Sequence, residues 1–103
     1  MKLIELSFLK RHDSIKRLIH FGSNGYYPIF DSEVDYTGIA GLKLTKSDKL
    51  KAKSLLKKIS NHDNIEKQKV LFSSLCVTEK RIVARALMEL VEGSLLDANS
   101  HLQ

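Results

Sequence analysis

The C-terminal third of this chain has an apolar pattern that is wider than one face of an ordinary amphipathic helix. A capping threonine at Thr78, with Glu79 in the first turn, predicts a helix that runs to Val91 and extends beyond Gly93 towards Leu96 or Ala98. At 100° per residue its apolar residues cover one side (Ile82, Val83, Ala86, Leu87 and Leu90) and continue around a second flank (Ala84, Met88, Val91 and Leu95). Such a helix must be contacted from more than one direction.

This helix therefore constrains how the rest of the chain can fold. Its charged residues form only a narrow strip (Arg81, Arg85, Glu89 and Glu92), in which Arg85 and Glu89 are spaced for an ion pair. Few other helices are available in 103 residues to cover the apolar arc. We therefore predict a homodimer with an interface made of Val83, Ala84, Leu87, Met88, Val91 and Leu95. The alternative is that the helix is the central spine of a monomer core.

The length fits one domain over residues 1–103, because shorter pieces could not bury a useful core. A hydrophobic content of 43% with 28% charged residues is typical of a folded soluble protein. The chain has no apolar run near the roughly 18 residues that span a bilayer, so we expect no membrane association. The segment Met1–Leu6 contains Glu5 and lacks a cleavage site for a signal peptide. The single Cys76 fits a reducing compartment, and the predicted location is the cytoplasm.

Two further helices have clear start signals. Thr45–Asp48 matches a capping box, and the helix that follows carries an apolar stripe of Ala52, Leu55, Leu56 and Ile59. Asp63–Glu66 repeats the capping pattern for a helix whose core face is Leu71, Phe72 and Leu75.

The N-terminal part is less certain in type. Residues 2–9 fit either a short strand or a helix. A cap at Asp13 predicts a helix over 14–21 that buries Ile15, Leu18 and Ile19 and is stopped by Gly22 in the left-handed conformation.

Between these helices lies an aromatic segment rich in glycine. Pro28 favours an extended Tyr27, and the stretch to Leu44 predicts a loop or short irregular β structure. Tyr26, Tyr27, Phe30 and Tyr36 have the composition of a partner-binding surface, or else cover one end of the helical core. The predicted fold is therefore mainly α: a bundle of about four helices with a short N-terminal element and an irregular aromatic segment that includes possible β pairing.

The net charge of +5 is concentrated in one predicted helix. Residues 43–58 contain seven lysines and one aspartate. Lysine without arginine suits contact with phosphates better than recognition of bases. One alternative function is therefore a nucleic-acid-binding regulator that uses Lys46, Lys49, Lys53 and Lys57, which share a face. The other interpretation is a solvated helix whose lysines extend beside the apolar stripe.

The segment Leu75–Ile82 resembles the turn of bacterial helix-turn-helix regulators, with Val77 and Ile82 at the apolar positions around the capping threonine. The resemblance covers about a fifth of the chain and implies a DNA-reading last helix. The alternative is that the segment is simply two packed helices joined by a tight turn. The sequence departs from the pattern at Phe72, where a small residue belongs, at Cys76, which replaces the turn glycine, and at Arg85, where an aliphatic residue belongs.

The sequence contains no convincing catalytic or metal-binding motif. Asp31, Glu33 and Asp35 begin like a calcium loop, but Tyr36 and Leu42 occupy the positions that require glycine and glutamate, so we expect an acidic solvent loop that pairs with the lysine-rich helix. The four histidines and Cys76 fit no zinc spacing. We therefore predict a non-enzymatic regulatory or accessory protein without cofactor or metal, which acts through contact with an unidentified protein partner and as a homo-oligomer.

Overall fold

A computed structural model describes residues 13–62 and 64–101, with side chains described for residues 14–62 and 64–93. Within these ranges the chain forms five helices and no strand. Their bounds are α1 (Asp13–Ser23), α2 (Tyr36–Ala40), α3 (Lys46–Ser60), α4 (Ile65–Ser73) and α5 (Val77–His101). The mainly α prediction is confirmed, and the predicted N-terminal element over residues 2–9 lies outside the described residues.

Helix α5 is the centre of the fold. Helices α1 and α3 make the most extensive packing against it, and α2 adds a third contact. Its residues 82–84, 86, 87, 90 and 91 are all buried, which covers more than half of the helix circumference. The wide apolar arc is therefore covered from several directions by the same chain, which is the arrangement of a central spine.

This burial places most of the predicted homodimer interface inside the chain. Val83, Ala84 and Leu87 have no exposed surface, and Val91 has almost none, so these four side chains cannot touch a second copy in this conformation. Met88 is only partly buried, and the Leu95 side chain lies outside those described. Most of the cover comes from α1 and α3, and α2, which the sequence did not predict, adds to it.

Helix α1 buries Ile15, Leu18 and Ile19, as predicted. Gly22, however, lies inside α1 and is not its left-handed stop, since the left-handed glycine is Gly25 with φ of +81°. A Cβ at Gly22 would lie 2.6 Å from Val91 Cγ2, so the absence of a side chain allows α1 to approach α5 closely.

The aromatic segment contains a helix where the sequence predicted loop or β pairing. Five residues of the glycine-containing stretch form α2, and no described residue of the segment is in a strand. Ile39 is buried and fixes α2 on the core, so burial of one aliphatic side chain overrides the weak helix propensity of Gly38. The extended conformation expected near Pro28 is not part of any strand.

Helices α3 and α4 form a hairpin at the side of α5. Ala52, Leu56 and Ile59 of the predicted stripe are buried, and Leu55 is partly buried. Asn64 caps α4 by accepting hydrogen bonds from the N–H groups of Glu66 and Lys67. Phe72 is fully buried, while Leu71 and Leu75 pack at the edge of the core. The buried Gln68 donates a hydrogen bond to the His62 carbonyl and so ties α4 to the connection from α3.

Candidate functional site

The outward side of α3 carries four exposed lysines and no acidic residue. The helix starts with the predicted capping box: Thr45 Oγ1 accepts from the Asp48 N–H at 3.0 Å, and Asp48 Oδ2 accepts from the Thr45 N–H at 3.0 Å. Its apolar stripe is turned to α5, which leaves the opposite side in solvent. A lysine-rich helix can persist there because the cap and the buried stripe offset the repulsion among its charges.

Seven residues form this outward side, which we call the lysine face: Lys46, Ser47, Leu50, Lys51, Ser54, Lys57 and Lys58. All seven are exposed, and none is acidic. The acidic residue of α3 is Asp48, whose carboxylate is directed to the helix N-terminus by the capping box. The lysine face therefore presents ammonium and hydroxyl donors with no carboxylate of its own helix among them.

The structure changes which lysines belong to this surface. Of the four predicted nucleic-acid-binding residues, Lys46 and Lys57 are exposed, Lys53 is half-buried and Lys49 is buried. Lys49 and Lys53 lie on the border between the apolar stripe and the solvent side, where a long aliphatic stem packs along the core. Lys51 and Lys58, which the prediction left out, take their place.

An acidic side chain of α5 reaches the lysine face. Glu79 of α5 forms an exposed ion pair with Lys51, with 3.6 Å between Nζ and Oε2. The Cys76 N–H donates to Glu79 Oε1 at 3.3 Å, and this hydrogen bond, with the charge of Lys51, lowers the pKa of Glu79. Glu79 thus stays ionised and competes for Lys51 with any anion from outside.

The acidic loop, by contrast, does not pair with the lysine-rich helix as predicted. Asp31 Oδ2 accepts from Lys80 Nζ of α5 at 2.8 Å, and Glu33 contacts the same ammonium. The hydrogen bonds to Asp31 and Glu33 raise the pKa of Lys80. Burial by itself raises the pKa of Asp31, but the hydrogen bonds from Lys80 and from the Glu33 N–H outweigh it and lower the pKa. This cluster fastens the loop to α5 and leaves the lysine face without those carboxylates.

The aromatic residues predicted to bind a partner divide between core and surface. The Tyr27 and Phe30 rings stack with 4.8 Å between centroids, and Phe30 stacks in turn on the buried Phe72 at 5.3 Å. Tyr36 packs against both Tyr27 and Phe30 and stays half-exposed. Burial, with the charge of Glu92, raises the pKa of Tyr27. Tyr26 packs edge-on against Phe21 and is mostly exposed.

The helix-turn-helix resemblance does not extend to the function that it implies. The supposed recognition helix corresponds to α5, in which Ile82, Val83 and Ala86 are buried by the rest of the chain. A helix that reads bases must enter the major groove with an exposed polar face. Between residues 77 and 93 of α5, where side chains are described, only a narrow strip is exposed or half-exposed, and in it Arg85 is held by the predicted ion pair with Glu89 at 3.4 Å.

Two shallow concavities lie elsewhere on the described surface. One, of about 390 Å³, is lined by His62, Glu66, Lys67, Val70 and Leu71 on the outer side of α4. The other, of about 300 Å³, lies between the acidic loop, α2 and α5, and is lined by Glu33, Asp35, Gly38, Ile39 and Arg81. Neither contains a nucleophile paired with a base, so neither has the arrangement of a catalytic site.

Among the described residues, no group of three or more His, Cys, Asp or Glu side chains is placed to hold a metal ion. In the same part of the chain, no helix is both long and apolar enough to cross a membrane. Comparison of the sequence with protein-family models, with curated proteins and with solved structures found no match.

Two sets of residues were missed by inspection of the sequence. The first is Lys80, which lies within the buried arc of α5. Because a buried charge is costly unless it is paired, a lysine at this position of the helix indicates an acidic partner. The outward residues Ser47, Lys51, Ser54 and Lys58 repeat one pair of residues at a spacing of seven, which is visible in the sequence. The sequence alone does not show that these four residues are exposed, because this depends on which side of α3 is buried.

Proposed function

We propose that this protein is a non-enzymatic binding module that contacts the phosphate backbone of nucleic acids through the lysine face. The observation that carries the proposal is the composition of that face, where four exposed lysines and two serines surround Leu50 and no acidic residue of α3 points outward. Lysine is a point charge that attracts phosphates without reading bases. The proposed binding is therefore independent of base sequence.

The rest of the surface supports backbone contact over the recognition of single strands. Binding of unpaired bases uses aromatic side chains that interleave with basic residues. The exposed tyrosines belong to the segment before α3, and the lysine face itself contains no aromatic residue. A duplex, whose bases are already stacked, is the form of nucleic acid that this surface suits.

The test is binding of a fluorescein-labelled random-sequence duplex, followed by anisotropy at increasing salt. Each phosphate contact releases counterions, so four contacts predict a slope of about −3.6 in a plot of log affinity against log salt. Affinity should then fall roughly 100-fold between about 50 and 200 mM salt. No binding at the lowest salt would contradict the proposal.

Two variants with the same net charge separate a local site from general attraction to a basic protein. The double substitution Lys51→Gln with Lys58→Gln removes two lysines of the lysine face, and we expect the slope to decrease by about 1.8. The matched control is Lys67→Gln with Lys69→Gln, which removes two exposed lysines of α4. Equal losses in the two variants would show that only the total charge matters.

We keep a second candidate function, contact with a protein partner, and specifically with a second copy of this chain. The observation that favours it is the exposure of Tyr36 and Tyr26, which are 48% and 57% exposed at the edge of a stacked aromatic core. Such rings offer contact area at a low cost in conformational entropy. Light scattering over a range of micromolar concentrations tests this candidate, and the mass of one chain throughout would contradict it.

A further inference from the structure

We propose that the lysine face contains two copies of one phosphate-contact unit, Ser47 with Lys51 and Ser54 with Lys58. This inference rests on the proposed function and specifies how the same surface grips its ligand. All four residues are exposed on α3. In each unit the serine precedes the lysine by four residues, which places the two Cβ atoms about 5–6 Å apart on the helix surface. One phosphate group can then accept from the hydroxyl and the ammonium together.

The spacing of the two units indicates the kind of ligand. They are seven residues apart, which is about 10.5 Å along the helix and within about 20° of the same direction. This distance is too long for two units to hold one phosphate, so each unit holds a different phosphate of the same ligand. The ligand class is therefore a phosphodiester chain and not a single nucleotide.

The presence of the hydroxyl distinguishes phosphate from other anions. Lysine and serine side chains are both frequent donors to the phosphate oxygens of nucleic acids. A phosphate offers several strong acceptor oxygens, so it can occupy both donors of a unit at once. An acidic polypeptide gains mainly from the ammonium groups. Lys51 also pairs with Glu79 at 3.6 Å, so a phosphate at the first unit competes with one carboxylate for this ammonium.

The test is the double substitution Ser47→Ala with Ser54→Ala, assayed by duplex anisotropy across the salt series. We expect affinity to fall roughly tenfold at every salt concentration, because each unit loses one solvent-exposed hydrogen bond, whose net contribution is at the low end of the usual range. The salt slope should stay that of the wild type, since a hydroxyl releases no counterion. Alanine has a higher helix propensity than serine, so the variant should fold at least as well, as circular dichroism can verify.

Two control variants accompany this substitution. The pair Ser47→Thr with Ser54→Thr keeps both hydroxyls and should retain wild-type affinity, while Ser32→Ala alters an exposed serine outside α3 and should change nothing. Failure of the threonine variant to retain affinity, or a changed slope in the alanine variant, would overturn the role of the hydroxyls.

The outcomes also separate this inference from the proposed function. If the alanine variant binds like the wild type while Lys51→Gln with Lys58→Gln weakens binding, the contact units are wrong and the lysine face remains the binding surface. If the wild type does not bind duplex at low salt, the proposed function itself is wrong. Equal affinity for polyglutamate and duplex would overturn the assignment to phosphodiester chains.

Discussion

Helices α3 and α5 share a capped or charged first turn and a continuous set of aliphatic residues, yet they occupy opposite environments. Helix α5 is covered by α1, α2 and α3 over most of its circumference. Helix α3 buries one stripe and exposes seven residues that are lysine, serine or leucine. The width of the apolar arc, rather than the number of apolar residues, decides which helix becomes the spine and which one keeps a solvent-exposed face.

The difference also shows where function is separable from stability in this molecule. Substitutions on the exposed side of α3 change charge without disturbing the core, whereas substitutions on the buried arc of α5 alter packing. The following measurements test the contrast between the two helices, from the largest expected effect to the smallest.

Replacement of a leucine by alanine should lower the free energy of unfolding much more in α5 than in α3. Leu87→Ala in α5 removes a fully buried side chain, and we expect the free energy of unfolding to fall by about 2–5 kcal/mol. Leu50→Ala in α3 removes a side chain that is 56% exposed, and the change should stay within about 0.5 kcal/mol. Urea unfolding of both variants measures this, and similar losses would refute the difference in burial.

The close approach of α1 to α5 can be tested at Gly22. An alanine there places its Cβ 2.6 Å from Val91 Cγ2 and 2.9 Å from Tyr27 Cε1, so we expect a loss of about 1–3 kcal/mol through overpacking. Gly41→Ala is the control, because in the described structure its Cβ meets no atom within 4 Å and its φ of −91° suits any residue. Equal midpoints of thermal unfolding for the two variants would argue against the tight contact between α1 and α5.

The start of α3 should depend on its cap, whereas the start of α5 should not depend on Thr78. Thr45→Ala removes the side chain that accepts from the Asp48 N–H, and we expect a loss of about 1 kcal/mol that Thr45→Ser largely restores. Thr78 lies inside α5 and is exposed, so Thr78→Ala should change stability by less than about 0.5 kcal/mol. A larger loss of unfolding free energy for Thr78→Ala in urea would support Thr78 as the cap of α5, as the sequence predicted.

The ion pair of Asp31 with Lys80 predicts a pH dependence on the acid side. The pKa of Asp31 is lowered below its ordinary value of 3.8 in the folded state, so its stabilisation is present above that value. It is lost as the pH falls through the folded pKa. The difference in unfolding free energy between wild type and Asp31→Asn should therefore shrink below about pH 4. A difference that is constant with pH would contradict the ion pair.

Much of the fold followed from local patterns in the sequence. The capping box of α3, the buried Phe72 of α4 and the buried face of α1 were all predicted from residue spacing, because caps and stripes depend on neighbours within one or two turns. The predicted ion pair between Arg85 and Glu89 is local in the same sense. The charge concentration in α3 was also visible without coordinates.

The errors arose where residues distant in the chain meet. Helix α2 exists because Ile39 is buried on the core, and no local pattern around Gly38 indicates it. The partner of the acidic loop is Lys80, 49 residues from Asp31, and not the nearer lysine-rich helix. Lys49 was placed on the ligand surface by its spacing but is buried at the border of the core.

By itself the sequence determined that the chain is mainly helical and that the positive charge is concentrated in residues 43–58. It also determined how α3 is capped and which apolar stripe of α3 is buried. Only the tertiary structure decided that α5 is covered by its own chain and that the acidic loop pairs with Lys80. It also decided which lysines of α3 remain in solvent. The physical reason is that helix caps and periodicity are interactions within a few residues, whereas burial and ion pairing depend on which distant surfaces pack together.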